Sequence, residues 1–415
     1  MFLKNMALIQ QVFPGKSIDS TETETIRTLN AINLKDMLKH GSKVAITAGS
    51  RGIKDISIIL KTLSGYISSC GCKPFILASM GSHGGGTVSG QLEILKELGI
   101  TPEKIGAPVI ASDISIPTSE YNGRSYYVNS LALEFEHVII VNRIKPHTSF
   151  HGPYESGILK MIAMGLGGPK GASYIHSLGV QSLPDIIPEA ASAIMKRLPI
   201  TLGLAILEDA FKNTMLIKAI TPDKFEETER ELLEEARCNL PGLPFEDVDI
   251  LIVDEIGKNF SGTGMDTNVI GRLRIQGLPE PAVPKIKRIV VLGVSQETKG
   301  NAYGIGLADF TTKRLVEGLD YNATYLNALT STFVQRAMVP MTLPDDFSAI
   351  QAAVKSLGAM SPEDIRIVRI KNTLTLDNLL VSQPLLKEAY SNEKIKVVGQ
   401  NLPLSFDINN QIIPF

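Results

Sequence analysis

The chain has 415 residues, 44% hydrophobic and 20% charged, with a formal net charge of −2. That length exceeds what one hydrophobic core ordinarily supports, so two domains are expected. The near-neutral balance lacks the basic stripe of a general nucleic-acid binder, and no stretch approaches the roughly 20 unbroken apolar residues of a membrane helix.

The opening stretch, MFLKNMALIQQVF, is a broken apolar run without the small-residue cleavage site of a secretory signal. Lys43–Thr47 reads as a buried strand leading into the turn Ala48-Gly49-Ser50-Arg51-Gly52. Ile56, Ile59, Leu60 and Leu63 then fall on one helical face. Cys70, Cys72 and Cys238 give no disulfide framework, so reduced thiols and a cytoplasmic location are expected. Phe75–Ala78 repeats the strand pattern and ends in Met80-Gly81-Ser82-His83-Gly84-Gly85-Gly86, before a helix carrying Leu92, Leu95 and Leu98. His137–Val141 is a third strand, followed by Asn142-Arg143-Ile144-Lys145-Pro146-His147. Leu202–Leu207 is a fourth, and Lys224–Arg237 a charged helix.

Pro241-Gly242-Leu243-Pro244 marks a boundary, giving an N-terminal domain over 1–244 and a C-terminal one over 245–394. The second begins with Val248–Val253 and continues with Arg288–Val294 and Ile365–Ile370. The last twenty residues read as irregular, with 395–415 packing back on the first domain. Alternating strands and helices predict two Rossmann-like α/β domains with mainly parallel sheets and a cleft between them. In such sheets ligands bind beyond the carboxyl ends of the strands, and Arg51, His83 and His147 sit just after strand ends.

Of six histidines, His40 reads as a surface residue and His137 as structural. His83, His147, His151 and His176 lie where exposure is expected. The glycines around His83 allow backbone N–H groups to approach an anion at a helix start. Lys160 is flanked by apolar residues in Gly157-Ile158-Leu159-Lys160-Met161-Ile162-Ala163, a setting that desolvates the amine, lowers its pKa and makes it nucleophilic. There is no H-E-x-x-H, no paired C-x-x-C, no G-x-S-x-G and no strict G-x-G-x-x-G at the first strand. An ordinary zinc site and a conventional nicotinamide dehydrogenase are therefore disfavoured.

The order Arg51, His83, His147, Lys160, His176 resembles the nickel-dependent lactate racemase family, racemases and epimerases of 2-hydroxy acids that use a nickel-pincer nucleotide. The resemblance implies that His176 ligates nickel and that Lys160, with Gly84 and Gly85, holds the nucleotide. It implies that His83 and His147 are the catalytic acid/base pair, and that Arg51 binds the carboxylate of a small-molecule hydroxy acid or the cofactor phosphate. Lys258, in Asp254-Glu255-Ile256-Gly257-Lys258-Asn259, resembles a further substrate-binding lysine, and equally reads as a solvated loop lysine. The implied partners are the hydroxy acid and the cofactor-biosynthesis proteins, with no nucleic acid and no membrane. Three departures leave the substrate open between lactate, a sugar acid and a dicarboxylate. Ala48 stands where the lactate enzymes have an acid, the interval from His147 to Lys160 is longer, and the chain has no tryptophan. Gly304–Thr312 and Tyr321–Thr330 resemble the family's second domain; Asp309-Phe310-Thr311 there reads as structural or as a substrate contact. Two other readings stand beside the racemase: a metal-dependent hydrolase or lyase with His83, His147 and His151 as ligands, and a non-catalytic cofactor carrier.

Overall fold

The structure is a computed structural model that describes residues 5–118 and 120–415. The first four residues, part of the opening stretch read against a signal peptide, lie outside the described residues, as does Ser119. The chain divides into two compact units, one spanning Pro14–Leu240 and the other combining Pro241–Phe415 with the described residues before Pro14.

The 14–240 unit is built on a six-stranded sheet in the order Val109–Ile110, Lys73–Ala78, Lys43–Ala48, His137–Arg143, Ile200–Glu208, Thr214–Ile220. The first five run parallel and the last is antiparallel. Successive side chains of a strand point to opposite faces, and both faces here are apolar. Val44, Ile46, Ile139 and Val141 enter one core, with Ile59, Leu60, Leu63 and Ile67 of the helix Ile56–Ser69. Ala45, Val138 and Ile140 enter the other, beneath the helices Leu183–Met195 and Phe225–Cys238. Each fully buried Ile or Leu contributes roughly 1.5–3 kcal/mol, so the two-sided burial of these short strands dominates their stability. Thr47 is buried as well, its hydroxyl accepting the Val141 N–H at 2.9 Å.

The second unit has an eight-stranded sheet in the order Met341–Leu343, Phe310–Thr312, Lys285–Val294, Asp247–Ile256, Ile367–Ile370, Asn378–Ser382, Met6–Gln11, Ile395–Leu402. The first five are again parallel and the rest antiparallel. Both units are therefore Rossmann-like α/β layers with mainly parallel sheets. Two corrections concern chain ends. Residues 395–402 form a strand that pairs, with a bulge, with Met6–Gln11 inside the second unit's sheet, so 395–415 belongs to that unit. Met6–Gln11 leaves the N-terminal unit for the same reason: Ala7 and Ile9 are buried in the core formed by Leu251, Val253 and Val381. The chain divides at 240/241, four residues before the expected 244/245.

Candidate active site

Three neighbouring parallel strands of the 14–240 unit end in the loops that carry Arg51, His83 and His147, since Ala48 aligns with Ala78 and the His137–Arg143 strand flanks Lys43–Ala48. Close packing carries the Lys160 and His176 elements to the same ends. Gly165, at the end of the wide π-helical turn Met161–Gly165, approaches the end of the Lys73–Ala78 strand so closely that a Cβ there would lie 2.7 Å from the Ser79 carbonyl oxygen. Such single wide turns recur at functional sites. Gly81, just before His83, has φ +59°, and a Cβ would stand 2.8 Å from the Ala172 Cβ in the helix Gly168–Ser177 that bears His176. Only glycine fits both that backbone and that contact.

Lys160 follows a helix start whose N-cap position, Gly157, has no side chain. Glu229 supplies the cap from the helix Phe225–Cys238: its Oε2 accepts the Leu159 N–H at 2.9 Å, and its carboxylate fills the space a side chain on residue 157 would need. Glu229 is 1% exposed, and its Oε1 has no hydrogen-bond partner among the described residues. Burial pushes its carboxyl up to about 7, against the pull of the Leu159 and Ile158 N–H groups. A carboxyl so placed is readily kept protonated.

Burial brings the Lys160 amine down to about 7, helped by the charges of Arg51 and Lys145 and opposed by Glu155. The Lys160 Nζ lies 5.6 Å from the centre of the Phe150 ring, and that ring stands 4.4 Å from the His147 imidazole. Burial, then the Lys160 charge, lowers the His176 pKa and favours its neutral imidazole. Burial, then Arg143, lowers that of Arg51. Both Arg51 and His176 are nevertheless exposed to solvent. Arg143 itself is ion-paired with Glu208, whose other oxygen accepts the Lys54 N–H at 2.9 Å.

The two candidate catalytic histidines are held differently. The Ser149 N–H donates to His147 Nδ1 at 3.1 Å, so neutral His147 carries its hydrogen on Nε2. His83 Nδ1 lies 2.6 Å from the Ser50 hydroxyl, which can donate or accept. Gly84 is explained by packing, since with φ +66° its Cβ would sit 2.5 Å from the Gly90 carbonyl carbon at the start of the next helix. Gly85 has open space at its Cβ position.

The structure thus brings Arg51, His83, His147, Lys160 and His176 to one end of one sheet. Lys258 lies in the other unit, where its Nζ donates to the Gly262 carbonyl and to Asn327 Oδ1, both at 2.7 Å, and stands 4.9 Å from the Tyr303 ring centre. Asp309 there has a structural role, bonded to Arg272 and Arg274 at 2.7 Å each and to the Ile289 N–H at 2.8 Å. His137 also is structural, joined to Thr201 at 2.8 Å. Ser50, Glu155, Arg237 and Glu229 are additions that residue types alone did not single out. Glu229 did leave a signal, as the one charge on the apolar stripe Phe225, Leu232, Leu233, Ala236. Among the described residues no three His, Cys, Asp or Glu side chains gather as a metal-binding group, so His83, His147 and His151 do not assemble the ligand set of the hydrolase or lyase reading. His176 remains available as a single neutral imidazole donor.

No family model matches the chain, and no curated protein does. Among solved structures it is similar to the lactate racemase apoprotein from Thermoanaerobacterium thermosaccharolyticum, with a TM-score of 0.55 at 14% identity, over 89% of this chain and 99% of that one. A likeness at this identity is a likeness of fold. No helix of the described residues is long and apolar enough to cross a membrane.

Proposed function

We propose that the chain is a racemase or epimerase that inverts C2 of a 2-hydroxy acid with the help of a nickel-pincer nucleotide. The observation that carries this reading is the meeting of Arg51, His83, His147, Lys160 and His176 at the carboxyl ends of adjacent parallel strands, on a fold shared with a lactate racemase apoprotein. The residues fit the cofactor. With its pKa brought down to about 7, about half of the Lys160 amine is unprotonated at neutral pH and able to form a covalent link, and the His176 imidazole suits nickel. The backbone of Gly84 and Gly85, before the helix Val88–Glu97, would receive a phosphate. When bound, the group would supply a hydride acceptor for C2 of the substrate.

The chain's own residues do the rest. Arg51 grips the substrate carboxylate through a forked, charge-assisted hydrogen bond. His83 takes the hydroxyl proton at Nε2 while Ser50 steadies Nδ1. His147, with its hydrogen on Nε2, is in the donor form and polarises the substrate oxygen. For the opposite enantiomer the two histidines exchange acid and base roles, and each turnover gives the hydroxyl proton back to the product oxygen. The reading implies a cytoplasmic protein served by the proteins that make its cofactor.

The test is to co-express the chain with cofactor-making proteins and present a panel of chiral 2-hydroxy acids in heavy water. The expected result is inversion of at least one member with its original C2 hydrogen retained, nickel in stoichiometric amount, and loss of that nickel in folded His176→Ala. Cofactor-loaded protein without nickel, or deuterium at C2 of the inverted product, refutes it.

A further inference from the structure

We infer that Glu155 is a positioning residue for His147: it ties the 147–155 loop into a ring that holds the imidazole in its Nε2–H form. The inference rests on the assignment of His147 just proposed. Glu155 is fully buried, yet it meets four donors. Oε2 accepts the His147 N–H at 2.5 Å, and Oε1 accepts the Gly152 N–H at 3.2 Å and Arg237 Nη2 at 2.5 Å. His151 Nδ1 approaches the same carboxylate at 3.3 Å. Arg237 also donates to the Gly152 carbonyl at 2.9 Å, so the far side of the loop is braced by the helix Phe225–Cys238.

A buried carboxylate needs such compensation, and it has it. Burial alone would raise its pKa, but the bonds from His151, the His147 N–H and Arg237 outweigh burial and keep it ionised. The consequence falls on the imidazole. With the His147 N–H pinned at one end of the loop and Gly152 at the other, the Ser149 N–H between them is aimed at His147 Nδ1. The Phe150 ring then lies against the imidazole, 4.4 Å between centres at 34°. A backbone donor at Nδ1 fixes the hydrogen on Nε2. Glu155 touches no reacting atom; it acts through the backbone of the residue that does.

The test uses nitrogen-15 spectra of the six imidazoles in the full chain, with His147 identified by His147→Asn. In the wild type His147 is expected to show the ring-nitrogen pattern of a fixed Nε2–H form. Glu155→Gln keeps the shape, but its amide nitrogen cannot accept, so either the His147 N–H or Arg237 loses its partner. The His147 nitrogens should then move toward the averaged values of a freely exchanging ring, while those of His83 and His176 stay in place. Arg237→Gln, which leaves the carboxylate in the loop and removes its brace, should give a smaller shift in the same direction and decides the matter if Glu155→Gln does not fold. In cofactor-loaded enzyme, turnover should fall by about 10- to 100-fold with KM within about twofold, as for a misplaced catalytic group. Unmoved His147 nitrogens in the folded variants would overturn the role of Glu155. If the wild type inverts no hydroxy acid, the racemase reading fails, and the spectra still decide what Glu155 does to the ring.

Discussion

Replacing Glu229 by Gln removes a titrating proton from the cap of the helix start that carries Lys160 and keeps the shape of the side chain. In the folded protein the carboxyl sits at about 7, against a reference of 4.5. The difference is about 2.5 units, or about 3 kcal/mol at ~1.36 kcal/mol per unit. The sign follows from which state holds the proton. Between 4.5 and about 7 the native protein keeps a proton that the unfolded chain has released, so stability falls as pH rises through this window. Below it the contribution is fully present; above it the whole cost is felt. The amide of the Glu229→Gln variant does not titrate and still accepts the Leu159 N–H. The variant should therefore differ from wild type by only a small constant near pH ~4.5, of the order of one hydrogen bond. By pH ~8 it should be about 3 kcal/mol more stable than wild type relative to that constant, or roughly 6–12 °C in Tm for a unit of this size. Urea unfolding at a series of pH values, read by circular dichroism, measures the difference directly. A variant-minus-wild-type difference that is flat with pH, or that grows toward acid, refutes the account of a buried, protonated cap.

Lys160 should titrate in the opposite sense. Its native pKa of about 7 lies below the 10.5 of the unfolded chain, so Lys160→Met should be more stable than wild type at neutral pH, with the advantage shrinking as pH rises from about 7 to 10.5. Thermal melts across that range check it, and an advantage that grows with pH would contradict it. Gly81→Ala places a Cβ 2.8 Å from Ala172 in a left-handed turn and should cost about 1–3 kcal/mol, measurable as a lower urea midpoint. Gly85→Ala also has positive φ but meets nothing within 4 Å, so it should cost less; equal losses would show that the contact with the His176 helix does not matter.

Much of the 14–240 unit was legible because its strands are short β-branched runs buried on both faces and its helices repeat apolar residues at i, i+3 and i+4. Lys160 announced itself as one cation among Ile158, Leu159, Met161 and Ile162, and the structure finds its amine desolvated. The strands Met6–Gln11 and Ile395–Leu402 were not legible. The first ends in glutamines, the second mixes Lys396, Gly399, Gln400 and Asn401 with its apolar residues, and their pairing joins Met6 to Leu402. Ser50 and Glu155 escaped notice for another reason. Each works through a single hydrogen bond or a few backbone N–H groups brought close by loop geometry, and no spacing of residue types encodes that.

Because Met6–Gln11 closes its sheet between Asn378–Ser382 and Ile395–Leu402, the 14–240 unit is an uninterrupted insertion within the other one. During synthesis the inserted unit has all its strands once residue 240 clears the ribosome. Met6–Gln11 has its sheet partners only in segments that follow the inserted unit in the chain, so the core that buries Ala7 and Ile9 closes after that unit is made.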